Sequence, residues 1–67
     1  MVEVTVNGAL RRIGDGDSVA TLLADMGLAG KRVAVERNGE IVPKSRHADT
    51  AIAAGDRIEI VVAVGGG

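Results

Sequence analysis

Two Asn-Gly dipeptides, Asn7-Gly8 and Asn38-Gly39, constrain this chain more than any other feature. Asn and Gly both tolerate positive φ, so the pair suits the two-residue turn whose twist matches two antiparallel strands. Before the first pair, Val2, Val4 and Val6 alternate with Glu3 and Thr5, the period of a half-buried strand. The return strand is expected over about residues 9–13. A two-residue turn sets Leu10 on the face of Thr5, opposite the three valines. A bulge beside the turn would bring it round, and the sequence leaves both registers open. Around the second pair, Val33 and Val35 alternate with Ala34 and Glu36. There Arg37 faces Glu40 as an expected ion pair, and Val35 faces Val42. Such cross-strand pairs contribute about 0.2–1 kcal/mol each, so they set register more than stability. Pro43 has no N–H to donate to a ladder, which predicts a short fourth strand at an edge.

Between the hairpins, Val19, Leu22, Leu23 and Met26 fall at i, i+3, i+4 and i+7, one face of a two-turn helix. Ser18 is placed to cap its first turn. Gly27 can end it in a left-handed conformation, with Leu28 folding back on Leu23. Residues 44–54 are polar and small, an irregular crossing with room for one helical turn. After Gly55-Asp56, Ile58, Ile60, Val62 and Val64 are expected to face inward, on the most apolar strand of the chain. A strand so apolar belongs in the middle of its sheet, beside the valine-rich first strand and parallel to it. The expected class is α+β: one main helix on one face of a mixed sheet of four to five strands.

With 67 residues there is room for one domain, expected over residues 1–64, followed by a flexible glycine tail at 65–67. The chain has no cysteine, which removes disulfides and thiolate metal ligands, and no aromatic residue on which a nucleic-acid base could stack. Its net charge of −1 supplies no broad footprint for nucleic acid. The longest apolar run, Ile60 to Val64, is far short of the roughly 20 residues that span a bilayer. No secretory signal is visible, so a soluble cytoplasmic protein is expected.

No catalytic constellation stands out. His47, with Ser45 and Asp49 nearby, is read as a surface histidine, because a triad is defined by convergence in space and not by composition. Asp15 and Asp17 lack the later ligands of a calcium loop and read as solvated turn residues near a helix N-terminus. Gly30-Lys31 has no glycine five residues earlier, as a phosphate-binding loop requires. The pairs Arg11-Arg12 and Lys31-Arg32 read as solvated charge. What remains is Gly65-Gly66-Gly67, directly after an apolar strand. Without Cβ atoms, this backbone can pass through a narrow channel and approach another protein's catalytic groups. Extended, three residues reach about 10 Å.

Three segments carry a resemblance that covers essentially the whole chain. They are Val35-Glu36-Arg37-Asn38-Gly39-Glu40-Ile41-Val42-Pro43, Gly55-Asp56-Arg57-Ile58-Glu59-Ile60, and the final Gly66-Gly67. With Asn7-Gly8 and with Ser18 ahead of a Leu-Leu helix, they resemble the ThiS family of sulfur carriers in the ThiS/MoaD superfamily. Gly65 is a departure, at a position where that family is more variable. The resemblance implies a ubiquitin-like β-grasp fold and a non-enzymatic carrier of sulfur for thiamine thiazole biosynthesis. A ThiF-type adenylyltransferase would use ATP, with Mg²⁺, to adenylate the carboxylate of Gly67. A sulfur donor protein would displace AMP to leave a thiocarboxylate, and a ThiG-type thiazole synthase would take up the sulfur. Gly65 and Gly66 would thread into the partner's active site, and Val61 and Ala63 would offer a docking strip on the sheet face away from the helix. No cofactor is expected on the carrier itself. The alternatives are a MoaD-type carrier for molybdopterin or another pathway, a ubiquitin-like protein modifier, and a plain interaction module.

Overall fold

The computed structural model describes residues 1–63; Val64 and the glycines Gly65, Gly66 and Gly67 lie outside the described residues. The chain runs β1 (Val2–Val6), β2 (Ala9–Ile13), α1 (Val19–Asp25), β3 (Val33–Arg37), β4 (Glu40–Val42), a 3-10 turn (Lys44–Arg46) and β5 (Arg57–Val62). The five strands form one sheet in the order β2-β1-β5-β3-β4. β5 is central and parallel to β1, with Thr5 opposite Arg57 and Val6 opposite Ile58. Its other neighbour, β3, is antiparallel.

Both Asn-Gly pairs make the expected turns. Asn7 and Asn38 each have φ of 52°, and Gly8 and Gly39 follow at 83° and 87°. The first hairpin uses the plain two-residue turn, with Val6 opposite Ala9 and Thr5 opposite Leu10. No bulge intervenes, so Leu10 stays on the face of Thr5 and is exposed. In the second hairpin Val35 faces Val42 and Arg37 faces Glu40, as expected. The expected Arg37–Glu40 ion pair is corrected, however. The Arg37 guanidinium turns instead to Asp56, with Nε 2.7 Å from Oδ2. A nearly buried carboxylate that already gathers other donors outcompetes an exposed glutamate, whose pairing gains little against water.

All the N-terminal amides of α1 find acceptors, and the crossing segment supplies half of them. Ser18 Oγ accepts from Thr21 N at 3.1 Å, and the Ser18 carbonyl accepts from Leu22 N. The carbonyls of Thr50 and His47 accept from Val19 N and Ala20 N, at 3.0 and 2.9 Å. At the other end, Leu28 N donates to Leu23 O and Gly27 N to Ala24 O, with Gly27 at φ 74°. That pattern is the Schellman stop anticipated from Gly27 and Leu28.

The core between α1 and the sheet is wholly aliphatic, with Leu22, Ile58, Val4, Val19 and Val35 at its fully buried centre. A Leu→Ala change at such a site costs about 2–5 kcal/mol, against a total of roughly 3–10 kcal/mol for a chain of this length. Leu22→Ala should therefore lower the urea midpoint of unfolding by about a third or more of its value. An unchanged midpoint would contradict this packing.

His47 corrects the surface reading: it is only 7% exposed. Its Nε2 donates to the Val42 carbonyl at 3.0 Å, while its own carbonyl caps α1. One residue thus ties the crossing to β4 and to the helix. Asp15 is an exposed turn residue, as expected, while Asp17 does more. Asp17 Oδ2 accepts from Gly14 N at 3.0 Å, and Asp15 lies 3.2 Å from the N-terminal ammonium.

Candidate functional site at the end of the central strand

β5 is the last described strand before the glycines, so the way it is held matters for the candidate site. Its start is anchored on Asp56. The carboxylate accepts from Arg37 Nε at 2.7 Å, from Ala53 N at 2.8 Å and from Asn38 Nδ2 at 3.0 Å. Burial alone would raise this pKa. The bonds from Ala53, Asn38 and Arg37, with the charge of Arg37, outweigh it and hold the carboxyl below the usual aspartate range. Asn38 also accepts from Arg57 N through Oδ1, at 2.9 Å, and so clasps the first residue of β5.

Farther along, β5 outruns its parallel neighbour, since β1 ends at Val6. The Asn7 side chain takes the place of the missing strand. Its Oδ1 accepts from Ile60 N at 2.8 Å and its Nδ2 donates to Ile60 O at 3.2 Å. On the other side, Ala63 N donates to Arg32 O at 2.9 Å, one step beyond the β3–β5 ladder. β5 is therefore fixed at its start, its middle and its end. Asn7 and Asn38 thus do more than make turns, a role for which turn chemistry gives no sequence signal.

The inward set on β5 is shorter than expected. Ile58 and Ile60 are buried, but Val62 is 43% exposed. The correction follows from the staggered strands: no β1 residue flanks Val62, and β3 offers it only the half-buried Val33. Val64, also expected to face inward, lies outside the described residues. Val61 is 66% exposed on the outer face, beside exposed Ala34 of β3, and Ala63 is exposed as well. Exposed Ile41 of β4 lies on the same face. The structure thus brings together Val61 and Ala63 as an apolar strip running to the end of β5. The residues expected to carry the chemistry, Gly65, Gly66 and Gly67, are outside the described residues. Among the described residues no group of His, Asp and Glu is arranged to hold a metal ion, and no helix is long and apolar enough to cross a membrane.

One helix laid across a mixed sheet, with the first and last strands parallel at its middle, defines a β-grasp domain of the ubiquitin-like type. The ThiS family profile matches residues 4–67, and this chain belongs to the ThiS family. It is 45% identical over 53 residues to the sulfur carrier protein ThiS of Bacillus subtilis, covering 79% of this chain and 80% of that one. It is 44% identical over 66 residues to a thiazole synthase of Paramagnetospirillum magneticum, covering 98% of this chain but only 20% of the relative. The chain thus spans about a fifth of that enzyme's length. The crystal structure of the thiamine biosynthesis protein ThiS from Geobacter metallireducens superposes with a TM-score of 0.83 at 30% identity, covering 98% of this chain and 100% of that one.

Proposed function

We propose that this chain carries sulfur for assembly of the thiamine thiazole, as a thiocarboxylate on Gly67. The observation that carries the reading is β5, held at its start by Asp56, in its middle by Asn7 and at its end by Arg32, ahead of Gly65-Gly66-Gly67 in the sequence. The matches to a ThiS sulfur carrier and to part of a thiazole synthase support that pathway over a molybdopterin one. They also support a thiazole synthase as the acceptor.

The chemistry divides between carrier and partners. A carboxylate is a poor electrophile until one oxygen becomes a good leaving group. A ThiF-type adenylyltransferase supplies this by joining the Gly67 carboxylate to the AMP of ATP, with Mg²⁺, releasing pyrophosphate. The terminal sulfur of a donor persulfide displaces AMP to form an acyl disulfide. A thiol then attacks the donor's sulfur, releasing the thiocarboxylate and leaving a disulfide on the donor. The carrier has no cysteine on which to hold sulfur, so the main-chain carboxylate is its chemically available site. The carrier acts as a co-substrate, not a catalyst, and the partner's need for ATP supports a cytoplasmic setting.

Intact-mass spectrometry tests this directly. Incubation with ATP, the adenylyltransferase and a sulfur source should add the mass difference between sulfur and oxygen, about 16 Da, on the peptide ending in Gly67. No gain, with a partner that releases pyrophosphate on a known carrier, would refute the reading. Covalent conjugates to lysines of other proteins in cell extracts would favour the modifier alternative.

A further inference from the structure

The end of β5 is ringed by positive charge that the carrier chemistry does not use. Lys44 and Arg32 line a shallow depression with Val61 and Ala63. Lys44 and Lys31 also line the groove on the helix side, beside Val33 and Leu28. No carboxylate lines either depression. Arg12, Arg37 and Arg57 have carboxylates within 4 Å. Lys31, Arg32 and Lys44, like Arg11 and Arg46, have none among the described residues, but only the first three of these gather near the end of β5. The clustering does not reflect a basic protein, because the whole chain has a net charge of −1.

We propose that Lys31, Arg32 and Lys44 form a cationic collar that docks on an acidic rim around the pocket of the adenylyltransferase. This rests on the carrier reading and names the surface that reading leaves open. The collar's target is the partner's surface and not the phosphates of ATP, from which an extended tail would hold it away. Gly67 lies four residues beyond Ala63, and an extended chain of that length spans about 14 Å. With the carboxylate at the reacting phosphate, the collar meets the protein surface at the pocket mouth and not the nucleotide. Charges so placed steer encounter and set orientation, while the apolar strip at Val61 and Ala63 supplies contact area.

The test is the association rate with the ThiF-type adenylyltransferase, measured by stopped flow at about 50 mM and about 500 mM salt, since screening separates charge from shape. The triple variant K31E/R32E/K44E should associate about tenfold or more slowly at low salt, with the deficit largely gone at high salt. Arg11→Glu, on the edge strand β2, should change the rate by no more than about twofold. Val61→Asp should slow docking at both salt concentrations. Thermal melts check that each variant is folded; if the triple variant is not, Lys44→Glu and Arg32→Glu singly carry the test. An unchanged rate at low salt, or an equal deficit at both salts, overturns the collar. Thiocarboxylate formation on the unaltered protein is measured in parallel. If that succeeds and the collar fails, only the collar is wrong; if it fails, the carrier reading falls and the collar with it.

Discussion

Gly66→Val should leave the protein folded and its charging lost, by about a hundredfold or more in the rate of thiocarboxylate formation. The expectation follows from what residue 66 has to do. The core residues and the ties on β5 found among the described residues involve residues 1–63, and a side chain at 66 removes none of those. Its β-branched side chain would meet the walls of any channel shaped for bare backbone, and it also restricts the extended chain. A misplacement of about 1 Å at a reacting group can cost about a hundredfold in rate. An alanine placed after Gly67 should be as damaging for a different reason. The reacting carboxylate becomes an amide, and the new one lies about 3.5 Å farther along. Intact mass and thermal melting together decide the matter. Normal thiocarboxylate yield from either variant would sink the proposal that Gly67 is the site.

Asp56→Ala should destabilise the fold by about 3 kcal/mol, a large share of what a chain this size possesses. Three donors lose their acceptor together: Arg37 Nε, Asn38 Nδ2 and the Ala53 amide. Arg37 is about one-third exposed and can turn to water, which lowers the cost below that of a fully buried pair. Ala53 N and Asn38 have less freedom to do so. The same carboxylate gives stability a defined pH dependence. Its pKa is lower in the folded protein than in the unfolded chain, so the unfolded chain binds the proton more readily. The stabilisation is fully present above the ordinary aspartate value of about 3.9 and is lost as pH falls through the folded one. Urea denaturation across the acid range should show the unaltered protein losing stability where Asp56→Ala loses less. Parallel profiles for the two proteins would show that Asp56 is not the group responsible.

Much of this fold could be read from local patterns, because its turns and helix ends carry their own chemistry. Asn7-Gly8, Asn38-Gly39, Ser18 and Gly27 act within a few residues of themselves, and each does what its position implies. The parallel pairing of the first and last strands followed from their composition and the connections between them. Long-range polar contacts were not legible. Arg37 has an acid partner three residues away in Glu40 and another nineteen residues away in Asp56, and only the tertiary fold shows that the distant one is buried. His47 sits in a polar stretch, and nothing local shows that β4 ends beside it with a carbonyl to spare. Alternation along β5 located Val61 and Ala63 on the outer face but overstated the reach of the core, since the burial of Val62 depends on where β1 stops. Lys31 and Arg32 read as solvated charge and are indeed exposed; their nearness to Lys44 is what only the tertiary fold shows.

The parallel pairing of β1 with β5 also gives the molecule two unlike poles. Because the two strands run in the same direction and β5 overshoots, the chain enters at one pole, beside Asp15, and passes Ala63 at the other. The long dimension of the domain is 38 Å, against 23 and 22 Å across. A tether, label or extra domain joined ahead of Met1 therefore sits at the pole away from Ala63. Immobilisation through the N-terminus leaves the Ala63 pole clear.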